Sequence, residues 1–152
     1  MTDSTSDIPE DRRADLSISV IPLYLTVNGQ SYQDNVDLSR REFYRMLPNT
    51  DPNPTTATPS PDQFTASYEK AADLGASAIF SFHISESLSA AVDSARTAAK
   101  QFTRVPVYVI DSGNLSMAKW LIVIKAAQAA KAGKSVEEVQ AVIDSVIPRP
   151  HA

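Results

Sequence analysis

Hydroxyl side chains crowd three segments of this chain, and their spacing suits the capture of a small anion. The first segment runs Asn53-Pro54-Thr55-Thr56-Ala57-Thr58-Pro59-Ser60-Pro61-Asp62-Gln63. Ser60 is placed to cap a helix, Pro61 fits the first helical position, and Gln63 completes a capping box. A helix start gathers free N–H groups and the positive end of a dipole. Surrounded by hydroxyl donors and by no basic residue, it suits a carboxylate. An ordinary capped loop accounts for the same residues. The second segment is Ser85-Glu86-Ser87-Leu88-Ser89, and the third runs from Asp111-Ser112 to Ser116. Capping explains the serines equally well, and Asp111-Ser112 also reads as a turn.

Other chemistries find less support. The chain has no cysteine, which removes disulfides, thiolate metal sites and cysteine nucleophiles together. It has two histidines. His83 lies in an apolar strand pattern and reads as a satisfied or partly exposed histidine rather than a ligand, and His151 lies in the tail. A zinc site would need mostly carboxylates, and no such cluster is visible. Neither a Gly-x-Ser-x-Gly elbow nor a glycine-rich phosphate loop occurs. Lys119 and Lys125 interrupt an apolar helix and read as solvated edges. Asp3, Ser4 and Thr5 are available to an anion site, although a polar N-terminus more often frays. A net charge of −4 leaves no nucleic-acid footprint.

The elements that must position these groups follow from periodicity and punctuation. At 152 residues, with 43% hydrophobic and 21% charged, the chain fits one globular domain with a real core. Leu16 to Val27 reads as a strand broken or bulged at Pro22. Asn28-Gly29 signals a hairpin, with Gln30-Ser31-Tyr32 returning. Ser39 and Glu42 box a short helix that stops before Pro48. Thr50 to Ser60 reads as a loop, Pro61 to Leu74 as a helix, and Ala78 to Ile84 as a strand. Leu88 to Phe102 is helical, Val105 to Ile110 a second buried strand, and Leu115 to Lys131 a long helix. Ser135 and Glu138 box the last helix, to about Val146. Short, unalternated strands between helices predict a three-layer α/β/α domain. Its mainly parallel sheet should include Ile18–Leu25, Ala78–Ile84 and Val105–Ile110. The longest apolar run, Trp120 to Ile124, cannot span a bilayer, and the polar start is unlike a signal peptide. A bacterial cytoplasmic protein is the default expectation.

An ordered set of pieces carries a resemblance. They are Thr2-Asp3-Ser4-Thr5-Ser6-Asp7-Ile8-Pro9, Ile21-Pro22-Leu23-Tyr24-Leu25, Pro54-Thr55-Thr56, Ser85-Glu86-Ser87-Leu88-Ser89 and Val107-Tyr108-Val109-Ile110-Asp111-Ser112. In this order they resemble the N-terminal domain of the DegV family, from about Thr2 to about Pro148. The resemblance implies a protein that binds a long-chain fatty acid, needs no cofactor or metal, and performs no chemistry of its own. It also implies a partner, a fatty acid kinase that phosphorylates the bound carboxylate. The family's head-group positions fall here on Thr55 and Thr56, and on Ser85, Glu86 and Ser89. Ala57 and Glu86 stand where the family usually has serine, and Ala90 where it has glycine. An ionised Glu86 pointing inward would repel a carboxylate, so its replacement by serine is expected to strengthen binding.

The ends raise further expectations. Thr2-Asp3-Ser4 reads as the loop after a first strand that is missing. The lipid-binding domain is expected over 1–148 with a tail at 149–152, and the family's C-terminal domain is expected to be absent. A truncated fragment of this kind should expose a sheet edge or a bared surface and self-associate. Two other readings stay open: a small α/β hydrolase or transferase using a serine or aspartate, and a fragment without function.

Overall fold

Unalternated apolar strands form a parallel sheet when helices cover both of its faces. The computed structural model describes residues 1–147. Its first half runs β1 (Thr2–Asp3), α1 (Glu10–Asp15), β2 (Val20–Ile21), β3 (Tyr24–Val27), β4 (Gln30–Gln33), α2 (Arg40–Met46) and β5 (Thr55–Ala57). Then follow α3 (Pro61–Asp73), β6 (Ile79–His83), α4 (Ala91–Gln101), β7 (Val107–Asp111), α5 (Ser116–Lys131) and α6 (Val136–Val146). β2, β1, β6 and β7 lie side by side in that order, all parallel. Phe64, Tyr68, Ile79, Ala95 and Phe102 pack one face under α3 and α4. Phe82, Ile122, Val123, Ala126 and Ile143 pack the other under α5 and α6. The expected three-layer α/β/α architecture is present. Pro148 and the tail at 149–152, with His151, lie outside the described residues.

The punctuation read from the sequence closes as expected. Capping boxes form at Ser39 with Glu42, Ser60 with Gln63, and Ser135 with Glu138. Asn28 and Gly29 both take positive φ, 50° and 78°, between two antiparallel strands. That is the geometry that matches a hairpin turn to strand twist.

Elsewhere the chain departs from expectation. The strand predicted over Ile18–Leu25 divides at Pro22, which lacks an N–H for the ladder. Val20–Ile21 stays in the parallel sheet, while Tyr24–Val27 turns into a separate antiparallel sheet of order β4, β3, β5. β5 is a strand where a loop was expected, with Thr56 opposite Leu25 and Thr55 opposite Thr26. Thr2-Asp3 is neither a loop nor frayed: Thr2 pairs with Val20 and Phe82, Asp3 pairs with Ile21, and both are fully buried. Helix α1 has no apolar stripe in Glu10–Asp15 to announce it. Helix α4 begins at Ala91, three residues after the expected Leu88, because Leu88 and Ser89 turn back on the Ser85 carbonyl.

Candidate ligand site at the carboxyl ends of the parallel strands

Ligands of open parallel sheets bind beyond the carboxyl ends of the strands, near helix starts. There the loops after β1, β6 and β7 lie side by side, and polar groups lace them together. Asp111 accepts from the N–H groups of Gly113, at 2.9 Å, and Glu86, at 3.3 Å. The Ser112 hydroxyl lies 2.7 Å from the His83 carbonyl and 2.9 Å from that of Asn114. Ser85 N–H donates to the Asn114 carbonyl at 3.0 Å. Ser116 donates to Asp7, which is also paired with Arg40.

Beneath these loops lies a buried polar array. Asp3 Oδ1 accepts from Thr5 N–H at 3.0 Å, from the Thr5 hydroxyl at 2.7 Å, and from Lys119. Its Oδ2 accepts from Ile84 N–H at 2.9 Å and faces His83 Nδ1 at 3.2 Å. His83 Nε2 meets Ser81 Oγ at 2.7 Å, and the Tyr68 hydroxyl donates to Ser81 at 3.3 Å. Lys119, expected as a solvated edge, is completely buried. It lies on the same helical stripe as Ile122, Val123 and Ala126, so α5 aims it inward. Lys125 is exposed, as a solvated edge should be.

The charges of the array follow from its neighbours. Burial alone would raise the Asp3 carboxyl. The bond from His83 and the nearby Lys119 outweigh it and hold the group below the usual carboxylate range. Burial pushes Lys119 down, against the pull of Asp3. Burial likewise lowers His83, more than Asp3 raises it, so the ring is neutral at pH 7. With Nδ1 protonated toward Asp3, Nε2 accepts from Ser81. A base kept neutral by folding favours the native state above its unfolded pKa, about 6.5, and that stability is lost as pH falls through the window below. Urea midpoints are therefore expected to fall as pH drops below about 6.5, and less steeply in His83→Gln. Equal slopes for the two proteins would show that His83 titrates alike folded and unfolded.

Ser81, His83 and Asp3 have the bonding order of a serine nucleophile, its base and an orienting carboxylate. Access decides against that chemistry. Ser81 and His83 are fully buried inside β6, and the Tyr68 hydroxyl covers the serine. No carbonyl can approach its Oγ. Among the described residues no group of His, Cys, Asp and Glu side chains is arranged to hold a metal ion. No helix there is long and apolar enough to cross a membrane.

The residues singled out from the sequence fall into two groups. Ser85 is buried, its hydroxyl 2.9 Å from that of Ser87 and accepting from Ser87 N–H at 3.3 Å. Ser89 is half-buried and accepts from Ala91 N–H at 3.3 Å. Glu86 is exposed and turns to Arg96 at 2.9 Å, so its charge is compensated at the surface. The premise that it points inward does not hold. Thr55 and Thr56 stand exposed on β5, in the other sheet. Between the two groups runs α3: Ser60 caps it just after β5, and the Phe64 and His83 rings meet in a T, centroids 5.0 Å apart. Asp3, Thr5 and Lys119 carry the wiring but drew little notice in the sequence. The signal for Lys119 was its place on the buried stripe of α5.

Known proteins share this fold. Residues 1–152 match the model of a family described as an uncharacterised protein family, DegV. A DegV domain-containing protein of Deinococcus radiodurans is 37% identical over 149 residues, covering 98% of this chain and 52% of the relative. A solved structure described as fatty acid binding of a DegV family protein from Thermus thermophilus superposes with a TM-score of 0.86. It is 35% identical and covers 96% of this chain and 51% of the other. A second, described as DegV, a fatty acid binding protein from Bacillus subtilis, gives 0.89 at 29% identity over 96% of this chain and 52% of the other. The chain spans about half the length of the curated relatives it matches.

Proposed function

We propose that this chain, which belongs to the DegV family, binds a long-chain fatty acid by its carboxylate and holds it for a partner kinase. The observation that carries the reading is the superposition of 96% of the chain on two solved proteins described as fatty acid binding. The chemistry of the loops agrees with it. A buried carboxylate needs donors, and hydroxyl and backbone N–H groups supply them without a cation. Ser85 and Ser89 sit at the carboxyl end of β6, and Thr55 and Thr56 precede the capped start of α3. Glu86 borders this set with its charge already satisfied by Arg96. The bound acid is the ligand, and the protein contributes position rather than catalysis. In this reading the part of the relatives' length not represented here closes over the acyl chain. The apolar surface it would cover, including Leu88 at 61% and Leu115 at 50% exposure, favours self-association of the chain alone. The cell compartment is the cytoplasm, where a kinase finds its nucleotide.

Native mass spectrometry with added oleic acid tests binding, through the appearance of one acyl mass per chain. Titration with a fluorescent fatty acid then tests the site. Thr56→Val keeps the shape and removes a donor, and is expected to weaken binding by about 1.5–3 kcal/mol. Glu86→Ser is expected to shift it by less than about 0.5 kcal/mol, as for an ordinary surface change. An unaltered affinity in Thr56→Val would place the carboxylate elsewhere.

A further inference from the structure

We propose that Asp3 is the positioning residue of the head-group site, fixing from below the loop that presents Ser85; this rests on the fatty-acid reading above. The carboxylate is fully buried at the end of an inner strand and, besides facing His83 Nδ1, takes donors from three separate segments. Thr5 N–H, at 3.0 Å, belongs to its own loop; Ile84 N–H, at 2.9 Å, belongs to the loop after β6; Lys119 belongs to α5. Ile84 N–H matters most. Pinning it fixes the peptide that leads directly into Ser85, and with it the direction in which the Ser85 hydroxyl leaves the backbone. Lys119 extends the hold: it bonds Asp3 and, at 2.7 Å, the Thr5 hydroxyl. The loop just before α5 grips the same serine from the other side, through Ser85 N–H and the Asn114 carbonyl at 3.0 Å.

Stability alone is a weak reason for such a pair. A buried ion pair gains little over well-packed apolar residues of the same size, because desolvation offsets the attraction. What apolar side chains cannot supply is an acceptor that orients two backbone N–H groups in different loops. The pair therefore sits where loop orientation matters, directly beneath the serines.

Two ligands with one chain length and different heads test this. Oleic acid carries the carboxylate and oleyl alcohol does not. The charge-balanced variant Asp3→Asn/Lys119→Met leaves no buried charge unpaired, and its folding is checked by circular dichroism and a urea midpoint. Wild-type chain is expected to prefer the acid. The double variant is expected to lose about tenfold in affinity for the acid, the scale of one charged hydrogen bond, with the alcohol unchanged. Equal loss for both ligands, or no loss for the acid, overturns the positioning role and leaves the fatty-acid reading standing. A wild type that binds neither ligand overturns both. Should the double variant not fold, Thr5→Val keeps both charges and removes only the hydroxyl that joins them. The same acid-selective loss is expected of it, and equal loss or none overturns the role.

Discussion

Lys119→Met is expected to destabilise the protein by about 3–5 kcal/mol at pH 7, the cost of leaving one member of a buried pair uncompensated. The reasoning turns on what remains. Methionine fills nearly the same space on α5, so no large cavity forms. Asp3, however, keeps its charge in a fully buried position. His83 can offset it only by taking a proton, which burial resists. The carboxylate then holds the two backbone N–H groups and the Thr5 hydroxyl without a cation. Adding Asp3→Asn should restore most of the loss, since the site becomes neutral, even though a single amide oxygen accepts from only one of the two N–H groups that Asp3 holds on separate oxygens. The single and double variants form a cycle, measured by urea unfolding, whose coupling should be strongly favourable. Additive effects would mean that the two side chains do not share a buried site.

That pair also marks where reading from the sequence stops. Local punctuation was legible because its energetics are local. Ser60 with Gln63 and Asn28 with Gly29 satisfy their own backbone groups within a few residues. The layered fold followed, since unalternated strands between capped helices admit few arrangements. The strand at Thr55–Ala57 was not legible. Its partner is Tyr24–Thr26, some thirty residues away, and proline and threonine around it read as loop. Asp3 and Lys119 were misread as a frayed end and a solvated edge. Polar residues usually are exposed, and only the meeting of two segments 116 positions apart makes their burial tolerable. For Lys119 the stripe it shares with Ile122, Val123 and Ala126 carried a usable warning. The serines of 85–89 were found as a cluster, yet the outward turn of Glu86 depends on Arg96 in the next helix.

Phe64→Ala is expected to cost about 3–5 kcal/mol, the range for removing a fully buried phenylalanine ring. Phe64 is completely buried and meets two aromatic neighbours, His83 in a T at 5.0 Å and Tyr68 at 6.3 Å. Tyr68 in turn meets Phe102 at 5.7 Å, so the ring anchors a stack that runs from β6 to the end of α4. The position gives the change a second consequence. Phe64 lies in the first turn of α3, where its N–H donates to the Ser60 carbonyl at 3.2 Å. It therefore sets where the start of α3, and the threonines just before it, stand relative to His83 and the serine loop beyond. A ring that merely filled space would lower the urea midpoint and leave the ligand affinity of the folded chain unchanged. A ring that holds the two halves of the proposed site in register lowers both. Phe64→Leu, which keeps apolar bulk but no aromatic ring to pack against the imidazole, should recover much of the stability and less of the affinity. Recovery of the two in equal proportion would reduce Phe64 to a core residue.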